Sequence, residues 1–190
     1  MKRFLLAVWI AAFICGPAVG AEFNVVQLDR SAVTFVSKQM GVPVEGRFKK
    51  FAARINFDTN KPESGKAQID IELASIDAGS SDANDEAKGR AWFNTREFPN
   101  AGFVSGGIKS IGKGRFEAAG KMTIKGRSRD VVAPFSAKLD GGNLLIDGSI
   151  PILRLQYGIG DGAWADTGTV ADEVMVRFRF TLATSATAKK

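Results

Sequence analysis

The sequence predicts an all-β fold: an antiparallel sheet of about eight strands closed into a barrel, with one short helix. Apolar and polar residues alternate through most of the chain, the period of a strand with one dry face. Turn signals built from Gly, Asn, Asp and Pro interrupt that alternation at short intervals. A third observation concerns what fills the interior. Of the 14 phenylalanines, 12 lie beyond residue 21, and that region contains neither histidine nor cysteine. Phenylalanine supplies apolar area, whereas His and Cys supply most acid, base, nucleophile and soft-metal chemistry near neutral pH. The composition favours an apolar container over a catalyst.

Residues 1–21 read as a cleavable secretory signal. Lys2 and Arg3 form a basic start, Phe4 to Cys15 an apolar run, and Gly16-Pro17 break it before Val19-Gly20-Ala21. The apolar run falls short of the ~20 residues that span a bilayer as a helix. Cys15 follows Ala12-Phe13-Ile14, and lipid attachment wants a small residue immediately before the cysteine. Cleavage after Ala21 predicts a soluble, exported chain with no thiol, stabilised by its core rather than by a disulfide. Loss of Lys2 and Arg3 lowers the formal charge from +6 to +4. The one short basic run, Arg47, Lys49 and Lys50 beside Phe48 and Phe51, is too small for a nucleic-acid stripe. Transient contact with a membrane surface suits a mildly basic exported protein better. Residues 22–183 are expected to form one domain and residues 184–190 a flexible tail.

Strand signals follow in order. Val33 and Phe35 open them, then Ala53, Ile55 and Phe57. Ala67, Ile69, Ile71 and Leu73 alternate with Lys66, Gln68, Asp70 and Glu72. Phe116, Ala118, Met122 and Ile124 come next, followed by Val131, Ala133 and Phe135, Leu144 and Ile146, and Ile150 and Ile152. Val174, Val176, Phe178, Phe180 and Leu182 close the series against Met175, Arg177, Arg179 and Thr181. Turns are expected at Asn60-Lys61-Pro62, Gly106-Gly107, Gly112-Lys113-Gly114, Lys125-Gly126 and Asp140-Gly141-Gly142.

From Asp82 to about Thr95 the rhythm changes to a helix. Asp82 suits the cap, Asp85 and Glu86 the first turn, and Ala83, Ala87 and Ala91 share a face. Trp92, Phe93 and Phe98 follow, so the helix should deliver aromatic rings to the barrel rim or interior. A sheet of this size with one dry face must close on itself or pair with a second sheet. An eight-stranded barrel has an interior just wide enough to be filled by side chains or to hold one slender ligand, as in lipocalins.

Six blocks in order resemble the YceI-like family. They are Ser31-Ala32-Val33-Thr34-Phe35, Gly46-Arg47-Phe48 with Phe51, Ile55-Asn56-Phe57-Asp58, Ser75-Ile76-Asp77, Phe93 with Phe98-Pro99 and Phe103, and Met122-Thr123-Ile124-Lys125-Gly126. A closing signature, Arg154-Leu155-Gln156-Tyr157-Gly158-Ile159-Gly160 through Trp164, precedes the last strand. The resemblance implies a lipocalin-like barrel in the periplasm whose cavity holds a polyisoprenoid lipid, such as an isoprenoid quinone or its precursor, with no cofactor required. Many relatives carry a histidine around Ser31 or Lys38-Gln39-Met40 and another near Lys88; this chain has none, which puts imidazole-dependent roles in doubt.

Candidate cavity residues are the inward apolar positions. Phe35, Phe48, Phe51, Ile55 and Phe57 come from the first half, with Ile69, Ile71, Trp92, Phe93, Phe98 and Phe103. Phe116, Met122, Phe135, Phe178 and Phe180 come from the second. Small residues at Ala53, Ala67, Ala118, Gly120 and Ala133 leave room among them. Burying about 500 Å² of prenyl surface at ~25 cal/mol/Å² contributes roughly 12 kcal/mol gross, less several for ligand ordering, so micromolar binding needs no polar contact. Arg154 and Gln156 are the head-group candidates; alternatively Arg154 pairs with a carboxylate such as Asp161 to hold the glycine loop. Asp82, Asp85 and Glu86 fit helix capping rather than a metal site. Two other readings stand beside the carrier: a ligand-free, stress-related interaction module with a packed barrel, and, third, a hydrolase. An outer-membrane barrel would show a polar lumen and aromatic girdles, yet the mature chain has one Tyr and two Trp. The carrier is expected as a monomer or homodimer.

Overall fold

The computed structural model describes residues 22–185, so the signal expected at 1–21 and most of the tail lie outside the described residues. One antiparallel sheet dominates. Its strands in chain order are β1 (Phe23–Val26), β2 (Ala32–Gln39), β3 (Val42–Phe48), β4 (Phe51–Asn56), β5 (Lys66–Glu72) and β6 (Ile76–Asp77). A helix α1 (Ser81–Lys88) intervenes before β7 (Asn100–Gly112), β8 (Arg115–Ile124), β9 (Arg127–Asp140), β10 (Asn143–Leu153) and β11 (Glu173–Thr184). Strand order is β4-β5-β7-β8-β9-β10-β11-β2-β3-β6, with β1 paired to β11. The sheet curls strongly into a half-barrel.

The structure has eleven strand segments rather than eight. The signals at Leu144-Ile146 and Ile150-Ile152 belong to one strand, β10, which runs through Gly148. β3 and β7 were hidden by Pro43 and Gly46, and by Gly102, Gly106 and Gly107. Gly106-Gly107 is no turn. The strand continues through it, and the pairing of β7 with β8 shifts by one residue between Ser105 and Gly107, a bulge that bends the sheet. The helix is also shorter than expected and begins earlier: Ser80, not Asp82, caps it by accepting from the Ala83 N–H at 3.2 Å, and Gly89 ends it.

The alternation points inward as the sequence predicts. Ala67, Ile69 and Ile71 of β5 face Val176, Phe178 and Phe180 of β11 across the interior. Arg179 pairs with Asp147 at 2.7 Å on the outer face. An apolar interior with charges outside is the reverse of a water-filled membrane barrel.

The two ends of the half-barrel differ. At one end β1 ties the last strand to the far edge of the sheet: Phe23 and Phe57 exchange both backbone hydrogen bonds at 3.0 Å, just beyond β4, while Phe23 also pairs with Thr184. Here Phe57, Phe116 and Phe135 form a plug, with ring centroids 5.0 Å (Phe57–Phe116), 5.6 Å (Phe57–Phe135) and 5.4 Å (Phe116–Phe135) apart. Phe57 is 0% exposed, and Leu144 and Leu182 are equally enclosed beside it. At the other end the edge of β3 is met only by the two-residue β6, at Arg47–Asp77 and Phe48–Ile76, and the chain then passes into α1. This end stays wide.

Replacing Phe57→Ala removes the centre of the plug. The expected loss is about 3–5 kcal/mol of unfolding free energy, read from the denaturant midpoint at unchanged slope.

Candidate ligand-binding cavity

A cavity of about 630 Å³ occupies the wide end, within the usual range for ligand sites. β2 and β3 contribute Phe35, Ser37, Val44 and Phe48; β5, β7 and β8 contribute Ile71, Phe103 and Met122. Helix α1 roofs it with Ala83 and Ala87, and the chain after the helix adds Trp92 and Phe93. Toward the plug it narrows into a space of about 100 Å³ with no polar lining, among Ile55, Ala67, Ala118 and Ala133. Ile69, Ile71, Phe103, Met122 and Val176 border both parts, so they form one tapering bore. From Ile146 to Ile152 along β10 this spans about 20 Å at ~3.3 Å per residue. A second hollow of similar volume lies on the outer face among Asp147, Arg177 and Arg179, open to solvent.

The phenylalanines leave room because several lie flat on glycines. Phe35 is opposite Gly46 and Phe178 opposite Gly148 in register, and each ring fills the space a Cβ of that glycine would need. The rings line the wall instead of bridging the lumen.

Most expected cavity residues are brought together. Phe35, Phe48, Ile55, Ile69, Ile71, Trp92, Phe93, Phe103, Met122, Phe178 and Phe180 border the bore, while Phe57 and Phe135 border it at the plug. Phe116 belongs to the plug, and Phe51 stands edge-on to Phe180 at 6.1 Å, packed on the core but not on the bore. Phe98 is elsewhere, its ring against Gly126 in the β8–β9 turn.

The head-group candidates need correction. Arg154 does not continue the face of Ile150 and Ile152 as a strand: residues 154–157 form a 3₁₀ turn. Its side chain is 1% exposed and all five guanidinium N–H groups are taken. Nε donates to Ala171 O at 3.0 Å, Nη1 to Ile159 O and Gly160 O at 2.9 Å each, and Nη2 to Trp164 O and Val170 O at 2.7 Å each. Burial pushes its pKa down from the ordinary value, and the fields of Asp172 and Asp161 oppose that. It holds the glycine loop, but through main-chain carbonyls rather than through Asp161, whose partner is Lys125 at 3.4 Å. Gln156 is exposed and away from the cavity, its carbonyl accepting from Arg129 at 3.3 Å.

Two further residues, and a second set of contacts for Trp92, were not legible in the sequence. Lys125, with 11% of its side chain exposed, sits at the tip of the β8–β9 turn and donates to the carbonyls of Ala91 and Gly158, stitching the post-helix segment to the loop. Glu86 accepts from Trp164 Nε1 at 2.9 Å, linking α1 to that loop from the other side. Trp92 lies between, 5.6 Å from the Trp164 ring and 5.7 Å beneath the Arg154 guanidinium. Its own Nε1 is enclosed and has no partner among the described residues. The repeated Gly-Ile-Gly-Asp-Gly pattern signals a tight loop in the sequence, but not which side chains pin it.

The site is thus an apolar, tapering bore in a curled antiparallel half-barrel. The profile of the YceI-like domain matches residues 25–182, and the chain belongs to that family. It is 28% identical over 136 residues to a UPF0312 protein of Azotobacter vinelandii, covering 70% of this chain and 71% of that one. Among solved structures it is similar to Burkholderia cenocepacia BcnA, with a TM-score of 0.80 and 42% identity over 82% of this chain and 98% of the other. A polyisoprenoid binding domain from Saccharophagus degradans shares the fold at TM-score 0.64 and 16% identity, over 87% of this chain and 99% of that one.

Arg154→Met should cost at least ~3 kcal/mol in chemical denaturation, because five carbonyls, three in buried contacts and two in part-buried ones, lose their donor. Asp161→Asn should cost under ~1 kcal/mol, because that carboxylate is half exposed and Lys125 keeps its two carbonyl acceptors. Asp166 accepts from the Gly168 N–H and the Thr169 hydroxyl, both at 2.9 Å, and the Gly168 N–H chiefly holds its carboxyl below the ordinary value of 3.8. A depressed folded pKa means the turn gains support above the unfolded value and loses it as pH falls through the folded one. The Gly168 amide resonance should therefore titrate with a midpoint below 3.8.

Proposed function

We propose that this protein binds a long isoprenoid lipid, of the isoprenoid-quinone or quinone-precursor kind, and carries it through the periplasm after removal of residues 1–21. The observation that carries the reading is the bore itself: about 630 Å³ of cavity running into a wholly apolar taper that ends on the phenylalanine plug. A linear prenyl tail fits a taper, whereas a solidly packed interaction module would have no use for one. The Saccharophagus degradans protein of the same fold is described as polyisoprenoid binding, which favours the same ligand class here.

Access would be from a membrane. The β2–β3 hairpin ends in Met40 and Val42, 80% and 62% exposed, and Met40 also borders the cavity mouth. Met40 adopts a positive φ of 47°, unfavourable for a bulky residue, and gains no burial there. Two such side chains entering a bilayer contribute about 1.5–3 kcal/mol each, enough for transient docking.

Organic extraction or native mass spectrometry of the purified mature protein should release a prenyl lipid, or show uptake of added isoprenoid quinone. Absence of both would sink the carrier reading. Ala118→Leu fills the narrow taper, so affinity for a long-chain quinone should fall at least tenfold while the thermal midpoint holds or rises. Unchanged affinity would place the tail elsewhere.

A further inference from the structure

We infer that the cavity mouth selects lipids with uncharged head groups and rejects prenyl phosphates and diphosphates, with Asp82 and Glu86 as the residues that set this preference. The inference rests on the isoprenoid-binding reading and specifies the head group within it.

Three charged side chains border the wide part of the cavity: Asp82, Glu86 and Arg154. The single cation among them keeps its positive charge, which the fields of Asp172 and Asp161 favour, but it has no donor to spare. Arg154 has five N–H donors and gives all five to main-chain carbonyls, so a phosphate could recruit it only by dismantling the glycine loop. The two anions stand one helical turn apart on α1, on the same face, at the rim. Ser80 already caps the helix through the Ala83 N–H. Glu86 receives the Trp164 indole N–H, and an acceptor engaged by a neutral donor keeps its full negative charge.

Three neighbouring lysines do not offset them. Lys88 is paired with Asp85 at 3.1 Å. Lys125 is committed to Ala91, Gly158 and Asp161. On β2, Ser37 and Gln39 border the cavity, so the alternation of the strand directs Lys38 to the other face. Asp166 and Asp172, in the loop that Arg154 holds, add further negative charge, each engaged with N–H donors of its own chain. A diphosphate at this mouth would meet carboxylates within about a Debye length, ~8 Å at physiological salt, and no cation with a free donor among the residues that line the cavity. A quinone carbonyl or a prenol hydroxyl would meet no such opposition.

The test titrates the delipidated mature protein with two probes of equal tail, geranylgeraniol and geranylgeranyl diphosphate, following Trp92 and Trp164 fluorescence and confirming stoichiometry by native mass spectrometry. The alcohol should bind at least tenfold more tightly than the diphosphate in 50 mM salt, with the gap narrowing at 500 mM. In Asp82→Asn/Glu86→Gln the gap should shrink to about threefold or less, chiefly because the diphosphate gains; the amide oxygen that replaces the Glu86 carboxylate can still accept from Trp164. Equal or tighter binding of the diphosphate by the wild type would overturn the inference while leaving the carrier reading intact. So would a gap that the double variant leaves unchanged. Binding of neither probe would overturn both.

Discussion

The roof of the cavity depends on one buried guanidinium. The loop from Gly158 to Ala171 has almost no regular structure and few apolar side chains with which to hold itself, and a loop so placed would normally leave its carbonyls unpaired. Arg154 answers five of them at once, from residues as far apart as Ile159 and Ala171. Only arginine can do this, because lysine has three donors on one atom and no planar fork. A Cβ at Gly160 would collide with the guanidinium, which explains a glycine there as well as its positive φ of 73°. With the loop fixed, Trp164 is placed for Glu86, Trp92 is held between ring and cation, and α1 acquires a second anchor beyond its own covalent ends.

Strands with intact alternation were legible in the sequence, and their parity was right. β5 and β11 show why: every second residue is aliphatic or aromatic, and a slip of one residue would turn charged Lys66 or Arg177 into the interior. β3 and β7 were not legible because glycine and proline erase the hydrophobic period, although backbone pairing tolerates them. The same ambiguity made Gly106-Gly107 look like a turn. Cross-strand partners decide between a bulge and a turn, and those are invisible until the sheet is assembled.

For the site, residue type was a good guide to what lines the bore and a poor guide to polar roles. Aromatic and aliphatic side chains at inward positions had only one place to go. Arg154 was harder, since a head-group contact, a carboxylate partner and a set of carbonyls all require the same donor chemistry; its identity could not choose among them. Phe98 illustrates a different limit. It sits past the end of the helix, where neither a period of 3.6 nor of 2 says which way a side chain turns, and it covers Gly126 instead of the cavity.

The plug of Phe57, Phe116 and Phe135 makes the bore blind, and a blind bore is a gauge. A tail shorter than the distance from rim to plug leaves unfilled apolar volume at the bottom; a longer one strands its surplus in water at the top. On the proposed reading either misfit would weaken binding in proportion to the mismatch, so affinity would peak at one tail length. A ligand so held would be measured from the tail end, by the position of three rings, independently of whatever the rim decides about the head.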